Sequence, residues 1–338
     1  MLSAAELKAV LRAHGLRLTS RLGQHHLVDA GVVDRLMARM DLPPDATVVE
    51  IGAGLGALTE PLAQRVRRVI AVEVDPGCCR LLRQRLAVLP QVEVRCQDIL
   101  AFPWGAHAGA TVVGAIPYQI TSPLLVAMAD AAAAIREAWI ILQEEVAQRV
   151  LARPGTKAYG RLTVLAQFRW AVEHVMAVPR RAFFPQPRVD SSCIVLRPHR
   201  VPPVSVRDEA LFFAVVKAAF SQRRKTLINC LMGLPPTLAS RCPQKSQSDF
   251  GDSVSPDIRR MSGGFHPGDA THLSGPDMLR MSRGEATRST GGLRPSIDRP
   301  AAAALVRQAG VGPTSRGETL SLEQFAALAN AVDDLKSP

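Results

Sequence analysis

The chain has 338 residues, enough for two domains with buried cores, and its 47% hydrophobic and 21% charged content is that of a globular protein. It contains no apolar run of 18 residues, which excludes a membrane-spanning helix, and its net charge of +11 favours a polyanionic partner. The six cysteines show no CxxC pair and no Cys/His ligand spacing, so no metal site is expected; free thiols in a reduced, cytoplasmic compartment are.

The first 20 residues are basic and amphipathic, in outline like an organelle transit peptide, but Glu6 and the lack of a Ser-rich stretch point to an ordinary leading helix. From Thr47 apolar strands alternate with amphipathic helices. Strands are expected at Val48–Ile51, Val69–Val74, Val92–Cys96, Thr111–Gly114 and Trp139–Gln143, with helices at Leu58–Arg65, Cys79–Val88 and Leu124–Ala134. That alternation predicts an α/β domain, a parallel sheet wound with helices on both faces, over residues 1–180.

A second, smaller domain is expected over 181–338. Residues 178–226 carry ten Lys/Arg against three acids, and Phe212–Leu231 repeats its apolar residues at helical steps. Residues 235–298 are rich in Pro, Gly, Ser and Arg, and they repeat themselves: PDIRRMSGG (256–264) returns as PDMLRMSRG (276–284), and GDATHLSG (268–275) as GEATRSTG (284–291). Such an insert buries too little apolar area to offset chain entropy, so disorder is its expected state. Helical patterns resume at Ala301–Ala309 and Ser321–Val332, so the insert interrupts a small helical domain.

Chemistry enters with VVEIGAGLGALTEPL, where a strand runs into Gly52, Gly54 and Gly56 before a helix. Glycines belong where backbone must turn tightly and approach a ligand. Glu73 ends the second strand, VIAVEVD, where a carboxylate can accept both ribose hydroxyls of an adenosine-containing cofactor. Asp98 ends the third, within reach of an adenine amino group. This spacing distinguishes S-adenosylmethionine from NAD only weakly, and the fourth tip has to decide.

That tip is VVGAIPYQIT, residues 112–121. In enzymes that methylate amino groups of bases, the tetrapeptide ending Pro-Tyr here begins with Asn or Asp. Ala115 stands there instead, keeping the backbone and lacking the side chain. Removing one positioned polar partner from a transition state costs about 2–4 kcal/mol, or roughly 10²–10³ in rate.

The chain resembles the small-subunit ribosomal RNA adenine N6,N6-dimethyltransferases over residues 5–232 and 301–332. The segments that carry the likeness are LGQHHLVD (22–29), LQEEVAQRVLARPGTKAYGRLTVLAQ (142–167), FFPQPRVDSSCIVL (183–196), AFSQRRKTLINCL (219–231) and RGETLSLEQFAALAN (316–330). The resemblance implies a Rossmann-like class I methyltransferase domain and a small C-terminal helical domain. It implies methyl transfer from S-adenosylmethionine to N6 of two adjacent adenines near the 3′ end of small-subunit rRNA. A cytoplasmic monomer acting on the immature small ribosomal subunit, with no membrane and no metal, completes the expectation.

The same resemblance implies that Gln24, His25, Leu27, Gly52, Gly54, Glu73, Asp98 and Ala115 line the cofactor site. Ile116 would offer its carbonyl to the target N6, Pro117 would stiffen the loop, and Tyr118 and Phe183 would enclose the flipped adenine. Arg223, Arg224 and Lys225 would meet RNA phosphates. His25 and His26 stand where the family has Asn and Phe. With Ala115 they leave a second reading open, a ribosome-assembly or RNA-binding factor of the same fold with catalysis weakened or lost. A third reading, a sister enzyme that confers antibiotic resistance through large-subunit RNA, is opposed by the Phe-Pro-Gln-Pro-Arg-Val-Asp segment and the Arg-Arg-Lys run.

Overall fold

The structure, a computed structural model, describes residues 1–16, 23–222, 225–232, 234 and 297–335. The insert expected at 235–298 lies outside the described residues except for its last two, and so do Arg223 and Arg224. Helix α1 (Ala4–Ala13) starts at Ser3, whose hydroxyl and the Glu6 carboxylate cap each other's backbone. A two-residue strand, β1 (His26–Leu27), then leads to α2 (Ala30–Arg39), capped by Asp29.

The expected alternation follows: β2 (Thr47–Ile51), α3 (Thr59–Ala63), β3 (Arg68–Glu73), α4 (Pro76–Arg85), β4 (Val92–Cys96), β5 (Ala110–Ala115), α5 (Thr121–Asp130) and β6 (Ile135–Gln143). Helices α6 (Glu144–Val150) and α7 (Arg161–Arg169) come next, then β7 (Trp170–Val178), β8 (Phe183–Phe184) and β9 (Ser191–Pro198). Seven strands form one sheet in the order β4-β3-β2-β5-β6-β9-β7, parallel from β4 to β6. β9 runs antiparallel between β6 and β7. β1 and β8 pair separately as a small antiparallel ladder, His26 opposite Phe184 and Leu27 opposite Phe183.

Central strands are covered on both faces, so they read as continuous apolar runs. Val49, Ile51 and Val112 face Leu124 and Met128 of α5, while Val48 and Val113 face Leu36 of α2 and Leu62 of α3. Each such fully buried side chain contributes about 1.5–3 kcal/mol.

The boundary expected at residue 180 falls inside the sheet, which closes only at Pro198. The basic residues that moved the boundary forward, Arg180, Arg181 and Arg188, sit exposed on the connections around β8, while the strand that follows them is buried. The helix expected at Phe212–Leu231 is two helices, α8 (Glu209–Ala219) and α9 (Leu227–Leu231). Thr226, in extended backbone, restarts the second, and Leu227, Ile228 and Leu231 thereby enter one core with α10 (Arg299–Gln308) and α11 (Leu322–Asp334).

Several contacts bind the helical region to the sheet domain, among them a shared apolar core and the Arg169–Glu209 ion pair between α7 and α8. The Tyr159 hydroxyl donates to the Leu320 carbonyl at 2.8 Å, and Gly155 N–H donates to the Glu318 carbonyl at 2.7 Å.

The turn after β2 and the tip of β5 approach each other because Gly114 has no side chain. A Cβ there would stand 2.7 Å from the Ile51 carbonyl oxygen, its partner across the ladder. Gly114→Ala is therefore expected to lower the unfolding free energy by about 1–3 kcal/mol, seen as a lower urea midpoint at an unchanged slope. An unmoved midpoint would contradict this account of the β2–β5 spacing.

Candidate active site

The chain runs from β2 outward to β4 and then returns to β5 on the other side of β2, so a crevice opens at the carboxyl ends of these strands. A cavity of about 290 Å³ occupies it. Its wall contains Gln24, His25, Leu27, Gly52, Gly54, Glu73, Asp98, Ala115, Ile116, Pro117, Tyr118 and Phe183, so the structure brings together every pocket residue named from the sequence. Lys225 lies apart from it, exposed in the turn between α8 and α9. Among the described residues no three His, Cys, Asp or Glu side chains converge as metal ligands would.

The glycine turn is built on left-handed backbone, Gly52 at φ +67°, Gly54 at +55° and Gly56 at +90°. Glu73 holds it in place. One carboxylate oxygen accepts from Gly54 N–H at 2.8 Å, and the other accepts from Val74 and Asp75 N–H, both at 2.9 Å. Burial raises the Glu73 pKa, against the pull of these three donors. The oxygen that accepts from Gly54 keeps lone-pair capacity for a ribose hydroxyl.

Asp98, exposed at the third tip, accepts from Leu100 N–H at 2.9 Å and keeps its second oxygen for another donor. Gln24 reaches Asp75 at 3.3 Å, and Asp75 in turn caps α4 through Cys78 N–H. The segment before β1 is thus tied to the second strand tip.

The two histidines take different places. His25 Nδ1 lies 2.6 Å from the Pro185 carbonyl, and its ring centroid is 5.4 Å from that of Tyr118. His26 turns inward over Gly54, where an added Cβ would stand 2.6 Å from Nδ1. Burial pushes its pKa down to about 4 although Asp75 opposes, and Nε2 has no partner among the described residues.

At the fourth tip, Ala115 ends β5 opposite Ile141, and Ile116 N–H donates to the Ile141 carbonyl at 3.0 Å. The Tyr118 hydroxyl lies 3.2 Å from Ser191 Oγ, and burial raises its pKa, so the ring remains a neutral phenol. Phe183 is buried and lines the cavity, whereas Phe184 packs toward α1 with Lys8 Nζ 4.8 Å from its ring centroid. Of the two phenylalanines, Phe183 is the one placed at the cavity.

Glu50 and Ser191 are among the polar cavity residues that the sequence reading did not name as site residues. Glu50 is fully buried, and burial pushes its pKa up to about 8, with Thr59 opposing and Glu73 adding. Its Oε2 has no partner among the described residues, an orphaned polar atom on the cavity wall. Its place two residues before the first glycine of the turn was a visible signal for it. Ser191 had none, being one serine in Asp-Ser-Ser and 73 residues from Tyr118.

These features fit a nucleoside cofactor. At Gly52 a Cβ would stand 3.6 Å from the Ala115 carbonyl oxygen and 3.8 Å from the Pro117 ring, so its absence keeps open the gap between the glycine turn and the fourth tip.

Because folded His26 refuses a proton that the unfolded chain accepts near pH 6.5, its contribution to stability is complete above that pH and is lost as pH falls toward 4. The expected loss is up to about 3 kcal/mol, measured by urea unfolding between pH 7 and pH 4. His26→Phe should flatten that part of the profile, and parallel profiles for the two proteins would refute it.

The ribosomal RNA adenine dimethylase family model matches residues 15–245. Ribosomal RNA small subunit methyltransferase A of Geobacillus kaustophilus is 40% identical over 66% of this chain and 79% of its own length. The protein of that name from Geobacillus sp. (strain WCH70) is 31% identical over 96% of this chain and 95% of its own. Among solved structures, the 23S rRNA methyltransferase ErmE is similar at 26% identity and TM-score 0.57, covering 91% of this chain and 99% of ErmE. A dimethyladenosine transferase from Plasmodium falciparum matches in fold at 20% identity and TM-score 0.64, covering 90% and 96%. The fold is thus a Rossmann-like class I methyltransferase domain followed by a helical region, and the chain belongs to the ribosomal RNA adenine dimethylase family of RNA-methylating enzymes.

Proposed function

We propose that this protein transfers methyl groups from S-adenosylmethionine to N6 of two adjacent adenines near the 3′ end of small-subunit (16S) rRNA, acting as a cytoplasmic monomer on the immature small subunit. The observation that carries the reading is the single cavity wall joining the glycine turn, Glu73 and Asp98 to Ile116, Pro117, Tyr118 and Phe183. Relatives named for the small subunit, at 31–40% identity, favour that RNA over the large-subunit RNA of ErmE, at 26%.

Gln24, His25, Leu27, Gly52, Gly54, Glu73 and Asp98 hold the cofactor, with Ala115 contributing backbone alone. When bound, S-adenosylmethionine supplies an electrophilic methyl group. The exocyclic amine is a poor nucleophile because its lone pair is delocalised into the base, so the protein has to extract the base and aim it. The Ile116 carbonyl accepts one N6–H, Pro117 restrains that carbonyl, and Tyr118 and Phe183 enclose the ring. The proton lost from N6 passes to water. Lys225, with Arg223 and Arg224, binds RNA phosphates.

Ala115 favours one alternative, an assembly factor of the same fold with weakened or absent catalysis. Incubating the protein with radiolabelled S-adenosylmethionine and unmethylated small subunits separates the two, and subunit binding without label on adenine would overturn the enzymatic reading. Restoring the side chain by Ala115→Asn should raise kcat about tenfold or more, and an unchanged rate would mean that the backbone carbonyl suffices.

A further inference from the structure

We propose that Ser191 is a positioning residue for methyl transfer, setting the direction of the Tyr118 ring through the hydroxyl–hydroxyl contact. This rests on the role given to Tyr118 above. Ser191 opens β9, the strand held between two others, opposite Gln143 of β6 and Val178 of β7. Its backbone is therefore fixed from both sides. Its side chain is buried, so the hydroxyl has little access to water, and Tyr118 lies 3.2 Å away.

Tyr118 itself begins a short turn on a loop. Ile116 N–H to the Ile141 carbonyl and Ile120 N–H to the Pro117 carbonyl fix the backbone on either side of it. Those bonds leave the ring free to swing about its own χ angles. A side chain at 115 would add a second polar group to aim the base, and Ala115 has none. Aim therefore depends on the ring. Ser191 holds its hydroxyl end, and His25, anchored on the Pro185 carbonyl, places its ring 5.4 Å from the Tyr118 ring, tilted by 34°.

The chain has only two tyrosines, which makes the contact directly observable. In protein labelled with 3-fluorotyrosine, Tyr159→Phe assigns the two fluorine signals, and Ser191→Ala should shift and broaden the Tyr118 signal. That readout needs no catalysis, so it tests the contact even if the proposed reaction fails. In the methylation assay, Ser191→Ala and Tyr118→Phe should each lower kcat about three- to tenfold, with the cofactor Kd unchanged. The double variant should be no slower than the worse single one, because both remove the same bond. Ser191→Thr should restore the rate. If Ser191→Ala does not fold, Tyr118→Phe breaks the same bond from the other side. An unmoved Tyr118 signal, multiplicative rate losses or a weakened cofactor Kd would overturn the proposal.

Discussion

The rest of the site depends on the Glu73 carboxylate. Buried at the tip of β3, it accepts N–H groups from Gly54 on the neighbouring turn and from Val74 and Asp75 beyond its own strand. Hydrogen bonds to a charged acceptor are stronger than neutral ones, about 1.5–3 kcal/mol each. They fix Gly54, the middle of three left-handed glycines at alternate positions, and they align two strand tips. Asp75, set by the same tip, then caps α4 and holds Gln24, which brings the N-terminal segment over the cavity.

That segment also joins the two halves of the chemistry. Leu27, proposed to line the cofactor site, lies opposite Phe183, proposed to enclose the base, in the β1–β8 ladder, and His25 bonds to the carbonyl of Pro185. A shift in either strand therefore moves both walls. His26 fills the space beside Gly54 as a neutral ring, and its cost is an unpaired nitrogen in the interior.

Ala115 changes how the fourth tip works without dismantling it. The β5–β6 ladder, the Ile116–Ile141 bond and the Pro117 turn hold the backbone whether or not residue 115 carries an amide. Under the proposed reaction, what is lost is one acceptor for the target amine, as the resemblance to the family implies. Aim then rests on groups that surround the base, and these are set by strands remote in sequence.

The sequence alone determined the parallel half of the sheet, the glycine turn, Glu73, Asp98 and the tetrapeptide, because each is local: an apolar run, a tight turn, an acid at a strand end. It also determined the family, through several short segments in fixed order. It did not determine that Ser191–Pro198 closes the sheet past residue 180, because a strand inserted between two antiparallel neighbours is specified by its partners. Nor did it separate α8 from α9, whose shared apolar spacing hides the turn between them. Tertiary structure alone decided that Phe183 and not Phe184 reaches the cavity, that Glu50 is buried beside it, and that Ser191 meets Tyr118. Those are contacts between residues far apart along the chain, fixed only when the sheet places them side by side.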